Sequence, residues 1–313
     1  MKKNACLIGR MVLAFFLISC AVQAKTLKVV TTVTELAWLA KQVGGEKVQA
    51  ESLLEGLENP HYVDAVPSFI LKTAEADLVF VVGLDLEVGW IPKVLARSGN
   101  AKVQPGGTGY VEVGKFVSVL DKPKGKIDRS MGDVHPGGNP HFWLSPLALI
   151  EASKGVLDAL SGAAPEHTEM FMRNQKTFSS RMSELVDANK AKFAKVPHPQ
   201  PWLMEYHQEF SYFLSAYGLK SFGSVEEKPG VAPSAGRLAQ VSISAKAAGV
   251  KALLVADYAP HQTVARFTEL SGVASATVPT SIRKTGKFSD YVVLHNHIVD
   301  TLIGAVTKNA AAE

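Results

Sequence analysis

Nine histidines and only two cysteines limit the chemistry open to this 313-residue chain. Cys6 and Cys20 both lie in the first two dozen residues, so metal chemistry in the rest of the chain falls to His, Asp and Glu. Two histidines close identical tripeptides, Asn59-Pro60-His61 and Asn139-Pro140-His141. Proline fixes its own φ and biases the preceding residue towards extended geometry, so each tripeptide holds its imidazole on a stiff turn. His207 directly follows the apolar run 202–206, at the carboxyl end of an expected strand, where α/β folds place ligands. Three imidazoles from separate segments make a borderline-soft cation site, and one carboxylate would complete the tetrahedron that Zn²⁺ takes.

Glu226, Glu227 and Asp257 are the candidate carboxylates. The first two follow the extended run 220–225 and precede Lys228-Pro229-Gly230; neighbours on a strand face opposite ways, so only one is expected to enter a cleft. His135, in Val134-His135-Pro136-Gly137-Gly138, sits in a glycine-rich loop that suits metal capture. His261 is expected in a loop, His295 and His297 on the last helix facing partner groups or solvent, and His167 and His198 exposed. No Gly-x-Ser-x-Gly elbow or phosphate loop is present, and Asp85 and Glu87 alone are weak evidence of hydrolysis.

The elements that must position these groups alternate. Strands are expected at 27–32, 48–54 and 77–82, the last a continuous apolar run of the kind buried on both faces of a parallel sheet. Helices are expected at 34–43, 67–76 and 90–97, and 105–139 is loop-rich. From 165 to 195 no Gly or Pro follows the first position, while Met170, Phe171, Phe178, Met182, Leu185 and Phe193 share one broad face. One helix over that stretch would be about 45 Å long and would serve as a rigid connector. The second half returns to alternation, with strands or extended runs at 202–206, 220–225 and 250–256 and helices at 210–217, 235–248, 262–271 and 291–307. The fold class is therefore α/β, with two (βα) lobes joined by one long rigid helix. The expected divisions are 1–24, 25–160, 161–196 and 197–313.

The first of these divisions reads as an export signal: Lys2, Lys3 and Arg10, then a short apolar run over 11–19, then Val22-Gln23-Ala24 for cleavage. Leu17-Ile18-Ser19-Cys20 offers the alternative of a lipid anchor on Cys20. The chain carries 33 basic and 29 acidic residues, and three of the basic ones lie in the first 24. The near-neutral remainder excludes a nucleic-acid binder, which needs a basic face.

Five motifs in order resemble one family, the zinc/manganese solute-binding proteins of bacterial ABC transporters. They are Asn-Pro-His-x5-Pro-Ser from Asn59, Ala-Asp-Leu-Val with Gly-Leu-x-Leu-Glu from Ala76, and Asn-Pro-His-Phe-Trp-Leu-Ser-Pro from Asn139. His-x-x-Phe-x-Tyr-Phe from His207 and Glu-x-Lys-Pro-Gly-x-x-Pro-Ser from Glu226 complete the set. The resemblance implies metal held in the cleft between the lobes by His61, His141 and His207. Many relatives supply a last Asp from a late Thr-Asp-Ser segment; here Pro279-Thr280-Ser281 has no carboxylate, which raises Glu226 and puts Glu227 second. The implied function is not enzymatic: a monomeric exported protein captures Zn²⁺ and delivers it to a membrane permease with a cytoplasmic ATPase. The alternatives are a Mn²⁺- or Fe²⁺-binding member of the same family, an exported zinc hydrolase, or a lipid-anchored surface adhesin.

Overall fold

The computed structural model describes residues 26–125, 131–132, 134–196 and 202–310. The export segment with Cys20 and Ala24, and His198, lie outside the described residues. The first lobe runs β1 (Leu27–Thr31), α1 (Thr34–Gly44), β2 (Val48–Ser52), α2 (Pro67–Ala74), β3 (Leu78–Val81), α3 (Ile91–Ser98), β4 (Tyr110–Glu112) and α4 (Pro146–Ala163). Helix α5 (Thr168–Phe193) follows. The second lobe runs β5 (Trp202–Glu205), α6 (Ser211–Ala216), β6 (Lys220–Ser224), α7 (Ala235–Ala247), β7 (Ala252–Ala256), α8 (His261–Ser271), β8 (Ser275–Val278) and α9 (Tyr291–Ala310).

Each lobe carries a four-stranded parallel sheet, ordered β2-β1-β3-β4 in the first and β6-β5-β7-β8 in the second. β3 (LVFV) and β7 (ALLVA) are buried at every position, as strands covered on both faces must be. Both strand orders turn back between their second and third strands, which opens a crevice at the carboxyl ends of the strands.

The edge strands β4 and β8 and the helix α4 go beyond the sequence expectation. The three residues of β4 fall in the loop-rich stretch, and β8 alternates exposed Ser275 and Thr277 with buried Ala276 and Val278. The long helix is shorter than expected. Residues Pro165–His167 form a 3₁₀ turn, and α5 proper has 26 residues, about 39 Å. His167 is correspondingly not exposed: its ring packs edge-on against buried Phe171, with 17% of the side chain accessible. His261 is not in a loop but opens α8, on the exposed side. His295 is buried with its Nε2 2.6 Å from the Tyr217 hydroxyl, and the His297 ring lies on Phe288.

Helix α5 buries Phe171, Phe178, Met182, Leu185 and Val186 against α4 and α1 of the first lobe and touches α9 of the second. One apolar core runs through both lobes, from Val29 and Phe80 to Phe213 and Ile298; a smaller cluster around Met204, Leu253 and Phe267 fills the outer side of the second sheet. Polar latches add to it. Glu35 on α1 accepts the N–H of Ile282 at 2.5 Å, Trp143 Nε1 donates to the Thr280 carbonyl at 3.0 Å, and the Tyr291 hydroxyl donates to the Trp143 carbonyl at 2.8 Å. Among the described residues no helix is long and apolar enough to cross a membrane.

Candidate metal centre

The Asn-Pro-His tripeptides gain their stiffness from more than proline. In each, the Asn side-chain oxygen accepts the backbone N–H of the His two residues on, at 3.0 Å for Asn59–His61 and 3.0 Å for Asn139–His141. These are Asx turns, the local geometry that short amide side chains favour. Buried Trp90 fixes the first turn by donating to the Pro60 carbonyl at 3.1 Å. The second turn is fixed across the lobes: Asn139 Nδ2 donates to Asp121 Oδ2 at 3.0 Å and to the Gln208 carbonyl at 3.1 Å, and the Tyr212 hydroxyl donates to the Asn139 carbonyl at 2.8 Å.

His207 leaves the end of β5. Glu205 Oε2 accepts the N–H of Phe210 at 2.8 Å and closes the turn that carries it. The pairing of β5 with β6 continues past the strand, with Glu226 N donating to the Tyr206 carbonyl at 3.1 Å. That register sets Glu226 beside His207, and Glu226 Oε2 lies 2.9 Å from His207 Nδ1.

The structure brings His61, His141 and His207 together. One nitrogen from each lies within 4.8 Å of the others, and the Nε2 atoms of His61 and His141 are 3.0 Å apart. All three rings are buried, at 9%, 1% and 9% exposure. Their tautomers follow from their partners. Asn139 aims its NH₂ at a carboxylate and a carbonyl, so its oxygen faces His141 Nδ1 at 3.0 Å, and that nitrogen carries the proton. Glu226 holds the proton of His207 on Nδ1 in the same way. His141 therefore turns its Nε2 lone pair towards His61 Nε2, 3.0 Å away.

Electrostatics divide the three. Burial, then the neighbouring imidazoles, pushes His61 and His141 well below the ordinary histidine range. Burial acts on His207 too, but its hydrogen bond to Glu226 and the charges of Glu209, Glu226 and Glu205 hold it above that range. Neutral His61 and His141 are the form that binds a cation.

The remaining candidates are placed as follows. Glu226 stands behind His207, with its Oε2 also accepting the Gly230 N–H at 2.8 Å. Glu227 is exposed. Asp257 is paired with Arg283. The His135 ring is half-buried, 5.0 Å from that of His61 between centroids. Two groups escaped the sequence reading. Glu209 is buried and pushed up to about 7 by desolvation, and its Oε2 accepts from the Tyr258 hydroxyl at 2.8 Å. Its place two residues after His207 was the only signal. With His61, His207, Glu226 and Tyr206 these two line a cavity of about 230 Å³.

Three buried imidazoles gathered at the carboxyl ends of the two parallel sheets form a group that could hold a metal ion. The family model described as zinc-uptake complex component A periplasmic, ZnuA, matches residues 29–305. The chain belongs to this ZnuA family. It is 27% identical to the manganese ABC transporter substrate-binding lipoprotein PsaA of Streptococcus pneumoniae serotype 4, over 98% of this chain and 100% of that protein. It is 25% identical to the iron ABC transporter substrate-binding lipoprotein MtsA of Streptococcus pyogenes serotype M6, over 92% of this chain and 93% of that one. Its fold is that of a zinc-bound ZnuA deletion mutant, with a TM-score of 0.74 at 18% identity, covering 90% of this chain and 98% of that one. This ZnuA-family chain is thus an extracytoplasmic metal-binding protein, the substrate-binding component of an ABC transporter.

Proposed function

We propose that the protein captures Zn²⁺ outside the cytoplasmic membrane and hands it to a membrane permease driven by a cytoplasmic ATPase. His61, His141 and His207 are the donors, and Glu226 orients His207 from behind. The observation that carries this reading is the trio of buried rings with two Nδ1 protons committed to Asn139 and Glu226. Outer partners of this kind fix a ligand's tautomer and raise its basicity. Nitrogen donors favour Zn²⁺ over the harder Mn²⁺, and the divalent affinity order points the same way. Relatives named for manganese and iron make the metal the point to test. Equilibrium competition among Zn²⁺, Mn²⁺ and Fe²⁺ on the mature protein decides it; tighter Mn²⁺ than Zn²⁺ binding would defeat the zinc assignment.

A zinc hydrolase would need a general base facing a metal-bound water. Glu226 is committed to His207 and Gly230, and Asp257 to Arg283, which favours carriage over catalysis. Export proceeds by cleavage after Ala24, with lipidation at Cys20 as the alternative; the mass of the mature protein separates the two.

A further inference from the structure

The metal-binding reading above leaves one coordination position open, and this inference rests on that reading. A zinc–nitrogen bond of about 2.0 Å puts an imidazole centroid about 3.2 Å from the ion, and tetrahedral angles then space centroids about 5.2 Å apart. The centroids of His61, His141 and His207 are separated by 5.1, 5.4 and 5.4 Å. Three vertices of a tetrahedron are therefore set, and the fourth lies over one face of their triangle.

Most nearby carboxylates hold other groups: Asp257 holds Arg283, Glu226 Oε2 holds His207 Nδ1 and Gly230 N, and Asp121 holds Asn139 Nδ2. Glu209 takes the Tyr258 hydroxyl on Oε2, and its buried Oε1, with no hydrogen-bond partner among the described residues, is the competing oxygen donor. Ser281 stands in the segment Pro279-Thr280-Ser281, which has no carboxylate. One more imidazole is at hand. The His135 centroid is 5.0 Å from that of His61, the tetrahedral spacing, and 6.5 Å from that of His141. His135, His141 and His207 line one cavity of about 80 Å³, more than the room that a single water needs.

The geometry points to His135 as the fourth metal ligand, which makes the site an all-imidazole cage closed from the loop. A small inward shift of the ring brings it into range of the ion. Gly132 (φ +77°) and Gly138 (φ +108°) flank it in conformations that side chains resist, so the shift is absorbed at glycines. The loop is already moored to both lobes: Gly137 N donates to Asp85 Oδ2 at 3.2 Å, and Gly132 packs so closely on the Pro229 carbonyl that a Cβ there would lie 2.4 Å from it. Four nitrogens and no oxygen make a donor set that discriminates against Mn²⁺.

Zinc K-edge X-ray absorption on the mature chain loaded with one equivalent of Zn²⁺ tests this. The expected result is four imidazoles and no oxygen in the wild type, and three imidazoles with one oxygen in His135→Ala. Zinc affinity of His135→Ala should fall by more than about 100-fold, beyond the loss that removing a supporting partner causes. His261→Ala, on the exposed start of α8, should bind as the wild type does. His135→Asp should narrow the preference for Zn²⁺ over Mn²⁺. Three imidazoles and an oxygen in the wild type, unchanged in His135→Ala with unchanged affinity, would overturn the proposal and leave the three-histidine site standing. A wild type that holds no zinc, or His61, His141 and His207 variants that bind it undiminished, would overturn both. The wild-type count needs no variant, so a misfolded His135→Ala protein cannot rescue the idea.

Discussion

Glu226 Oε2 sits 2.9 Å from His207 Nδ1. In the zinc site proposed above, the carboxylate acts on the metal through the imidazole. Glu226→Ala should weaken zinc binding by about 10- to 100-fold, the usual cost of losing an outer-shell partner. Competition titration with a chelator measures it. A loss as large as that of His207→Ala would make Glu226 a direct ligand.

Removing any one of the three buried imidazoles should cost more. Zinc at 100 times its dissociation constant stabilises the native state by about 2.7 kcal/mol, so the wild type should unfold several degrees higher with zinc than without. His61→Ala, His141→Ala and His207→Ala should each lose that thermal shift. Retention of the full shift in all three would show that the cation sits elsewhere.

The three histidines should also shape the pH dependence. His61 and His141 are lowered, so they stay neutral well into acid, whereas His207 is raised and protonates first as pH falls. A cation must displace that proton, so affinity should drop with falling pH, and binding near the ordinary histidine pKa of about 6.5 should release close to one proton. Calorimetry in buffers of different ionisation enthalpy counts it. Release of two or three protons would mean that His61 and His141 are not held neutral.

Glu35 gives a test of stability that is independent of metal. Burial raises its carboxyl from 4.5 to about 7, while its oxygens accept from Ile282 N and the Thr34 hydroxyl. Below 4.5 both folded and unfolded chains hold the proton, and the group has no effect on the pH dependence. Between 4.5 and 7 the unfolded chain ionises first, so stability falls as pH rises, by at most about 3 kcal/mol. Glu35→Gln keeps an acceptor for Ile282 and should flatten this part of the pH–stability curve in metal-free protein. The same slope in wild type and variant would refute the assignment.

Motion on metal binding should be local. The Glu35–Ile282 and Trp143–Thr280 latches and the shared core fix the lobes, and α5 contains no Pro or Gly at which to bend. Hydrogen exchange with and without zinc should change most in peptides spanning 134–141 and least in α5. A large protection change along α5 would instead indicate a hinge in that helix.

Much of this was legible in the chain. The buried strands β3 and β7 announce themselves as unbroken apolar runs, and the repeated Asn-Pro-His marks two of the three clustered imidazoles before any coordinates. Other parts depend on contacts that no local pattern carries. Gly155 lowers the helical signal of α4, yet it is there because the Phe116 ring fills the space a side chain would need. β8 is too short and too polar on one face to stand out until β7 pairs with it. The resemblance ranks Glu226 first among the carboxylates because Pro279-Thr280-Ser281 has none, but contacts set their places: Asp257 pairs with Arg283, and the β5–β6 register puts Glu226 beside His207. Neither relationship is local in sequence.

The two sheets share one strand order, each turning back between its second and third strands, and the cluster lies where these two like halves meet. His61 and His141 come from one half and His207 from the other. Each half builds its own sheet, but the turns at the rim are shared, because Gln208 and Tyr212 of the second half hold the Asn139 turn that carries His141. A donor exchanged on the second half is therefore felt by the donors of the first, and the two rims keep one geometry between them.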